Sequence, residues 1–132
     1  MTVVVGYVPT PEGGAALKEG IRQATWRGTK LVVANVVTNQ NFADVTAADE
    51  QDFDAVRARL DETGVAYEVQ QLQAAGDVSA SLVDVVESSQ AELVVLAVRR
   101  VSLVGKLLLG STIQEVLRHT SAQILIVRPQ QW

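Results

Sequence analysis

With 132 residues and no cysteine, the chain can bury one core unaided but has no means for a disulfide framework, a thiolate metal site or a thiol nucleophile. Its net charge of −4 and isoelectric point near 4.9 argue against non-specific binding to nucleic acid, which needs an extended basic face. Apolar runs end at about eight residues, short of the roughly 20 of a membrane helix, and the first residues lack the basic flank of a secretory signal, so a single cytoplasmic domain over residues 1–132, with no membrane partner, is expected.

The first run, Val3-Val4-Val5, is apolar at successive positions and β-branched, as a strand buried on both faces requires. Thr10-Pro11 then offers an N-cap and a proline at the first helical position, ahead of Ala15, Ala16 and Leu17. A second buried strand follows at Leu31-Val32-Val33-Ala34. Thr46 precedes an acidic first turn and the helical spacing of Phe53, Val56 and Leu60, with Gly64 as the stop. Tyr67 to Leu72 alternates more nearly between apolar and polar, which suits an edge strand with one wet face. Asp77 can cap a helix carrying Val78, Leu82, Val83 and Val86. Leu93-Val94-Val95-Leu96 is the fourth strand. Ser111 with Gln114 makes a capping-box pattern before Ile113, Val116 and Leu117, and Ile124-Leu125-Ile126-Val127 is the fifth strand. Alternation of strands and helices with right-handed crossovers implies an α/β fold, a parallel sheet between two helical layers.

In such sheets ligands bind outside the carboxyl ends of the strands, where the strand order reverses. Residues Leu93 to Gln114 include Arg99, Arg100 and Lys106 and no carboxylate, a positive stretch in an acidic chain. The stretch leads into Gly110-Ser111-Thr112 at a helix start, whose backbone N–H groups and dipole favour an anion, phosphate being the natural guest. Two readings stand side by side here: an anion seat, or solvated loop arginines beside a serine that only caps its helix.

The run Ala97-Val98-Arg99-Arg100, nine residues, then Gly110-Ser111 resembles the signature of the universal stress protein family, Gly-x-x-Gly, nine residues, Gly-Ser or Gly-Thr. The resemblance extends to the opening strand, Gly76-Asp77, Leu107-Leu108-Leu109, Val116-Leu117-Arg118-His119 and the last strand with Arg128. It implies an adenine nucleotide alpha hydrolase-like fold, a five-stranded sheet in the order 3-2-1-4-5. In many members it also implies ATP held between the loops after strands one and four, with Mg²⁺ only where a triphosphate is bound. Other members bind no nucleotide.

Measured against that pattern, Ala97 and Arg100 stand where the first two glycines belong, and Gly110 and Ser111 match the rest. A side chain at such a position obstructs close approach of phosphate and the positive φ that glycine permits. After strand one the nucleotide-binding members carry an aspartate. Here the segment is Gly6-Tyr7-Val8-Pro9-Thr10, with Val8 near the expected carboxylate. Val36 matches a residue lining the base pocket, and it also reads as a core strand residue. The family reading therefore gives a regulatory or sensor dimer in which Tyr7, Val8, Val36, Ala97, Arg99, Arg100, Gly110, Ser111 and Thr112 form a degenerate nucleotide site that binds ATP weakly or not at all. The alternative is an ATP-binding member with slow ATPase or phosphotransfer activity.

Other residues carry less. His119 has no motif partner for catalysis and, near a helix end, is expected to meet free carbonyls. Asp44, Asp49, Glu50, Asp52 and Asp54 do not have calcium-loop spacing and read as a solvated helix start. Ser111 lacks the Gly-x-Ser-x-Gly elbow of a hydrolase. Receiver domains need acidic residues after strands one and three, where this chain has Tyr7-Val8 and Gln71-Leu72-Gln73. A Rossmann glycine fingerprint is absent after strand one. Ile124 to Val127, apolar at every position, lacks the charges that protect a sheet edge, so pairing with a second copy is expected there. The apolar residues Val101, Leu103, Val104 and Leu107 to Leu109 are expected to pack as a short helix or against a partner.

Overall fold

The computed structural model describes residues 1–38, 48–74, 77–98 and 110–129. In chain order its elements are β1 (Thr2–Gly6), α1 (Pro11–Arg27), β2 (Lys30–Thr38), α2 (Glu50–Asp61), β3 (Tyr67–Ala74), α3 (Val78–Ser88), β4 (Ala91–Ala97), α4 (Ser111–His119) and β5 (Gln123–Val127). The strands pair in parallel in the order β3-β2-β1-β4-β5.

The continuous apolar runs follow from this placement, because a central strand must satisfy two cores at once. Val3, Val5, Leu31, Val33, Leu93 and Val95 pack with Ala16, Leu17 and Ala24 of α1 and Val56 and Leu60 of α2. The alternate positions Val4, Val32, Ala34, Val94 and Leu96 pack with Leu82, Val85 and Val86 of α3 and Ile113 and Val116 of α4. The helices thus form one layer on each face. β3, at the edge, alternates between half-buried and exposed residues along most of its length.

Three helix starts are closed by side chains. Thr10 Oγ1 accepts from Gly13 N, with Pro11 opening α1. Asp77 Oδ1 accepts from Ser79 N and Ala80 N at the start of α3. The start of α2 lies later than Thr46, which is outside the described residues. Its cap is Asp49, whose carboxylate accepts from Asp52 N at 2.8 Å while Asp52 accepts from Asp49 N at 2.9 Å. That reciprocal box explains the local crowding of acids, since carboxylates are favoured where a helix presents free N–H groups. α2 ends at Asp61, and Gly64 follows with φ of +76°, a left-handed turn suited to glycine.

The expected Ser111–Gln114 box does not form. Gly110 is the N-cap, so Ser111 falls inside the first turn, and no side chain caps α4. A box needs its hydroxyl residue one position earlier, in extended backbone.

Candidate functional site

All five strands run the same way, so their carboxyl ends meet at one edge of the sheet. The order reverses between β1 and β4, the place where open parallel sheets take ligands, and the loop after β1 and the start of α4 both lie at this edge.

The loop after β1 is held closely. Thr10 N donates to Val8 O at 2.8 Å, Tyr7 N donates to Ala34 O at 2.8 Å, and α1 comes so near that a Cβ on Gly13 would lie 1.6 Å from Val8 O. Glycine at position 13 is therefore a packing requirement. The Tyr7 ring leans on the cluster beneath α1 and α2. Burial raises its phenol pKa, nearby Asp52 adds to the rise, and Arg59 works against it. Val8 is half-buried in the same loop.

On the other side, Ala97 ends β4 and packs with the α1–α2 layer, and Val98 is buried and donates to Val127 O at 2.9 Å. α4 then begins at the sheet's carboxyl edge. Gly110 and Ser111 are exposed, Thr112 is half-buried, and Gln114 N returns to Gly110 O at 3.1 Å. The backbone N–H groups of Ser111, Thr112 and Ile113 precede the first intrahelical donor, Gln114 N, and the first turn carries no acid. A glycine cap, two hydroxyls and N–H donors without a side-chain cap suit a phosphate oxygen chemically. The phosphate end of a nucleotide is thus compatible with the described residues.

Val36 lies at the carboxyl end of β2 and is only 6% exposed, in the cluster beneath α3 and α4. Its core role is real, and it shares the α4 face of the sheet. The fold therefore brings Tyr7, Val8, Val36, Ala97, Gly110, Ser111 and Thr112 to one edge. Arg99, Arg100, Val101, Leu103, Val104, Lys106 and Leu107 to Leu109 lie outside the described residues, as do Asp44, Gly76 and Trp132.

Asn35 went unnoticed in the sequence, although an amide inside Val32-Val33-Ala34-Asn35-Val36-Val37 is a visible break in an apolar strand. It is fully buried. Its Nδ2 donates to Tyr7 O at 2.8 Å and its Oδ1 accepts from Ala48 N at 3.0 Å and from Gln71 Nε2 at 3.1 Å.

His119 differs from expectation in its partner. Its Nε2 lies 3.2 Å from Glu115 Oε2 on the exposed face of α4, where the carboxylate one turn back is nearer to hand than a carbonyl. The shallow groove between α3 and α4, about 440 Å³, is lined by Asp77, Asp84, Glu115 and His119 among others, the wrong charge for phosphate. Among the described residues no three His, Asp or Glu side chains are grouped to hold a metal ion, and no described helix is long and apolar enough to cross a membrane.

The model of the universal stress protein family matches residues 1–128. A universal stress protein of Mycolicibacterium smegmatis is 36% identical over 127 residues, covering 96% of this chain and 97% of that protein. A universal stress protein of Mycobacterium tuberculosis is 29% identical over 150 residues, and this chain spans 49% of it. Among solved structures, a universal stress protein in complex with cAMP superposes with a TM-score of 0.71 at 24% identity, covering 98% of both chains. Another, from Archaeoglobus fulgidus in complex with dAMP, gives 0.67 at 14% identity, covering 95% of this chain and 94% of that one. Those two likenesses establish the shared fold, and the family model, together with the 36% relative, places this chain in the universal stress protein family.

Proposed function

We propose that the protein is a small regulatory or sensor dimer whose crevice receives the phosphate of an adenine nucleotide, or another anion, weakly and without turnover. The observation that carries this reading is the start of α4. Among the four described helices it alone has no side-chain cap, and it begins beside the point where the strand order reverses. Gly110, Ser111 and Thr112 form the phosphate seat, while Tyr7, Val8, Val36 and Ala97 border the nucleoside end. The complexes of related folds with cAMP and dAMP make an adenine nucleotide the first ligand to try.

Weak binding follows from Ala97 and Arg100. Each puts a Cβ where nucleotide-binding members have glycine, and an arginine turned inward would occupy the phosphate path, whereas one turned outward could pair with a phosphate. Loss of two good contacts, at about 1.4 kcal/mol per tenfold, moves a micromolar affinity toward millimolar. The dimer reading rests on β5, which is paired with β4 on one side and carries half-buried Ile124, Leu125, Ile126 and Val127. A second copy across a two-fold axis would satisfy that edge.

Mass spectrometry of the purified protein for retained nucleotide, followed by calorimetric titration with ATP, dAMP and inorganic phosphate, tests the ligand. Little or no retained ATP is expected, with affinity strengthened in the double variant Ala97→Gly, Arg100→Gly. Tight ATP binding that the double change weakens would overturn the reading and make Arg100 a ligand. Sedimentation tests the assembly, and a monomer at micromolar concentration would remove the dimer.

A further inference from the structure

Asn35 lies on the strand face that Leu31 and Val33 fill with apolar side chains beneath α1 and α2, and it is 0% exposed. An amide is retained at such a position only if its donors and acceptors are met. What meets them is not local. Nδ2 reaches the Tyr7 carbonyl, just where the chain leaves β1, and Oδ1 takes the Ala48 amide, just where the chain enters α2. Gln71 of β3 completes the arrangement, with Nε2 shared between Asn35 Oδ1 at 3.1 Å and Ala48 O at 2.7 Å. One side chain thus joins β2 to β3, to the loop after β1 and to the residue before the cap of α2. Ala48 is itself buried and held at both its N–H and its carbonyl, so the start of α2 is pinned to the same point as the loop after β1.

We propose that Asn35 is a positioning residue for the crevice, holding the Tyr7–Thr10 turn in shape through the Tyr7 carbonyl and coupling that turn to the start of α2. The role rests on the function proposed above, since the turn matters as one wall of the nucleotide site. A ligand pressing on the turn would be felt at Ala48, and a change at α2 would be felt in the crevice. A second link runs the same way: Asp52 and Arg59 of α2 act electrostatically on the Tyr7 phenol. A purely apolar residue at position 35 would fill the core and leave both the Tyr7 carbonyl and the Ala48 amide without these bonds.

Amide hydrogen exchange on the full chain, combined with titration of ATP and dAMP, tests the proposal. Asn35→Ala is expected to speed exchange at Tyr7, Thr10 and Ala48 together by at least tenfold, and to weaken whichever nucleotide binds by about fivefold. Asn35→Asp keeps the acceptor for Ala48 but cannot donate to Tyr7 O, so the turn should loosen more than Ala48 does. Val33→Ala, a core truncation outside the network, controls for general loss of stability. If Asn35→Ala does not fold, Gln71→Ala at the exposed edge strand serves instead, and faster exchange at Ala48 with a smaller change at the turn is expected. If the unmodified protein binds no nucleotide, the proposed function falls while exchange still judges Asn35. Exchange at the turn and Ala48 that moves no more than in Val33→Ala, or unchanged binding in a folded Asn35→Ala, overturns the positioning role.

Discussion

The two walls of the crevice are built in opposite ways. After β1 the wall is backbone packed on backbone: Gly13 sits against Val8 O, Thr10 caps α1 and bonds back to Val8, and Asn35 holds Tyr7 O. At α4 the described residues leave the wall uncapped. Gly110 has nothing within 4 Å of where a Cβ would lie, and the N–H groups behind it have no side-chain cap. The first wall is changed by repacking, because Tyr7 O, Val8 O and Thr10 Oγ1 already accept hydrogen bonds. The second is open to change by charge, because no side chain caps its donors and, on the proposed reading, they meet an anion.

The sharpest way to break the comparison is at neighbouring glycines of α1. Gly13→Ala forces a methyl into the Val8 carbonyl and is expected to cost about 1–3 kcal/mol in denaturant unfolding. Gly14→Ala, with nothing within 4 Å, should instead stabilise by about 0.5–1 kcal/mol through helix propensity and backbone entropy. Equal outcomes at the two positions would mean that the first wall is not packed as described.

A smaller effect on stability, with a clear effect on binding, is expected at the open wall. Gly110→Asp supplies the missing cap and should raise stability by a few tenths of a kcal/mol. The same carboxylate occupies the donors and repels an anion, so phosphate or dAMP affinity should fall several-fold in calorimetry. Unchanged affinity would show that the anion does not sit at α4.

The smallest effect concerns acid. Hydrogen bonds from Ser79 Oγ first, then the backbone N–H of Ala80, hold the Asp77 carboxyl below the usual aspartate range. A lowered folded-state pKa gives stability that is complete above the unfolded value and is lost as pH falls through the folded one. The start of α3 should therefore loosen below the ordinary aspartate range, an effect missing in Asp77→Asn, while the uncapped start of α4 shows no such dependence. Amide exchange at Ser79 and Ala80 against the α4 first turn, followed as a function of pH, checks this contrast.

Much of the architecture was legible from local chemistry. Continuous β-branched runs such as Val3-Val4-Val5 and Leu93 to Leu96 announce strands with a core on each face, since no solvated strand tolerates them. Thr10-Pro11 and Asp77 announce helix starts because a cap acts over two or three residues. The strand order and the crevice came from the family resemblance, and the structure agrees with the order. The misplaced starts of α2 and α4 show where local reading stops. Thr46, Asp49, Ser111 and Gly110 are all competent caps by type, and choosing among them depends on where the helix axis must lie to bury Phe53, Val56, Ile113 and Val116.

The sequence by itself therefore determined the alternation of elements, the two-sided core and the concentration of glycine and hydroxyls at the start of α4, because each is set by residues a few positions apart. Only the tertiary structure decided that Asn35, Tyr7, Ala48 and Gln71 meet at one point, and that Gly13 is pressed against Val8. Those contacts join neighbouring parallel strands and the segments beside them, brought together by crossovers. Hydrogen bonds across such distances in the chain leave no periodic signal, only an out-of-place amide in an apolar run.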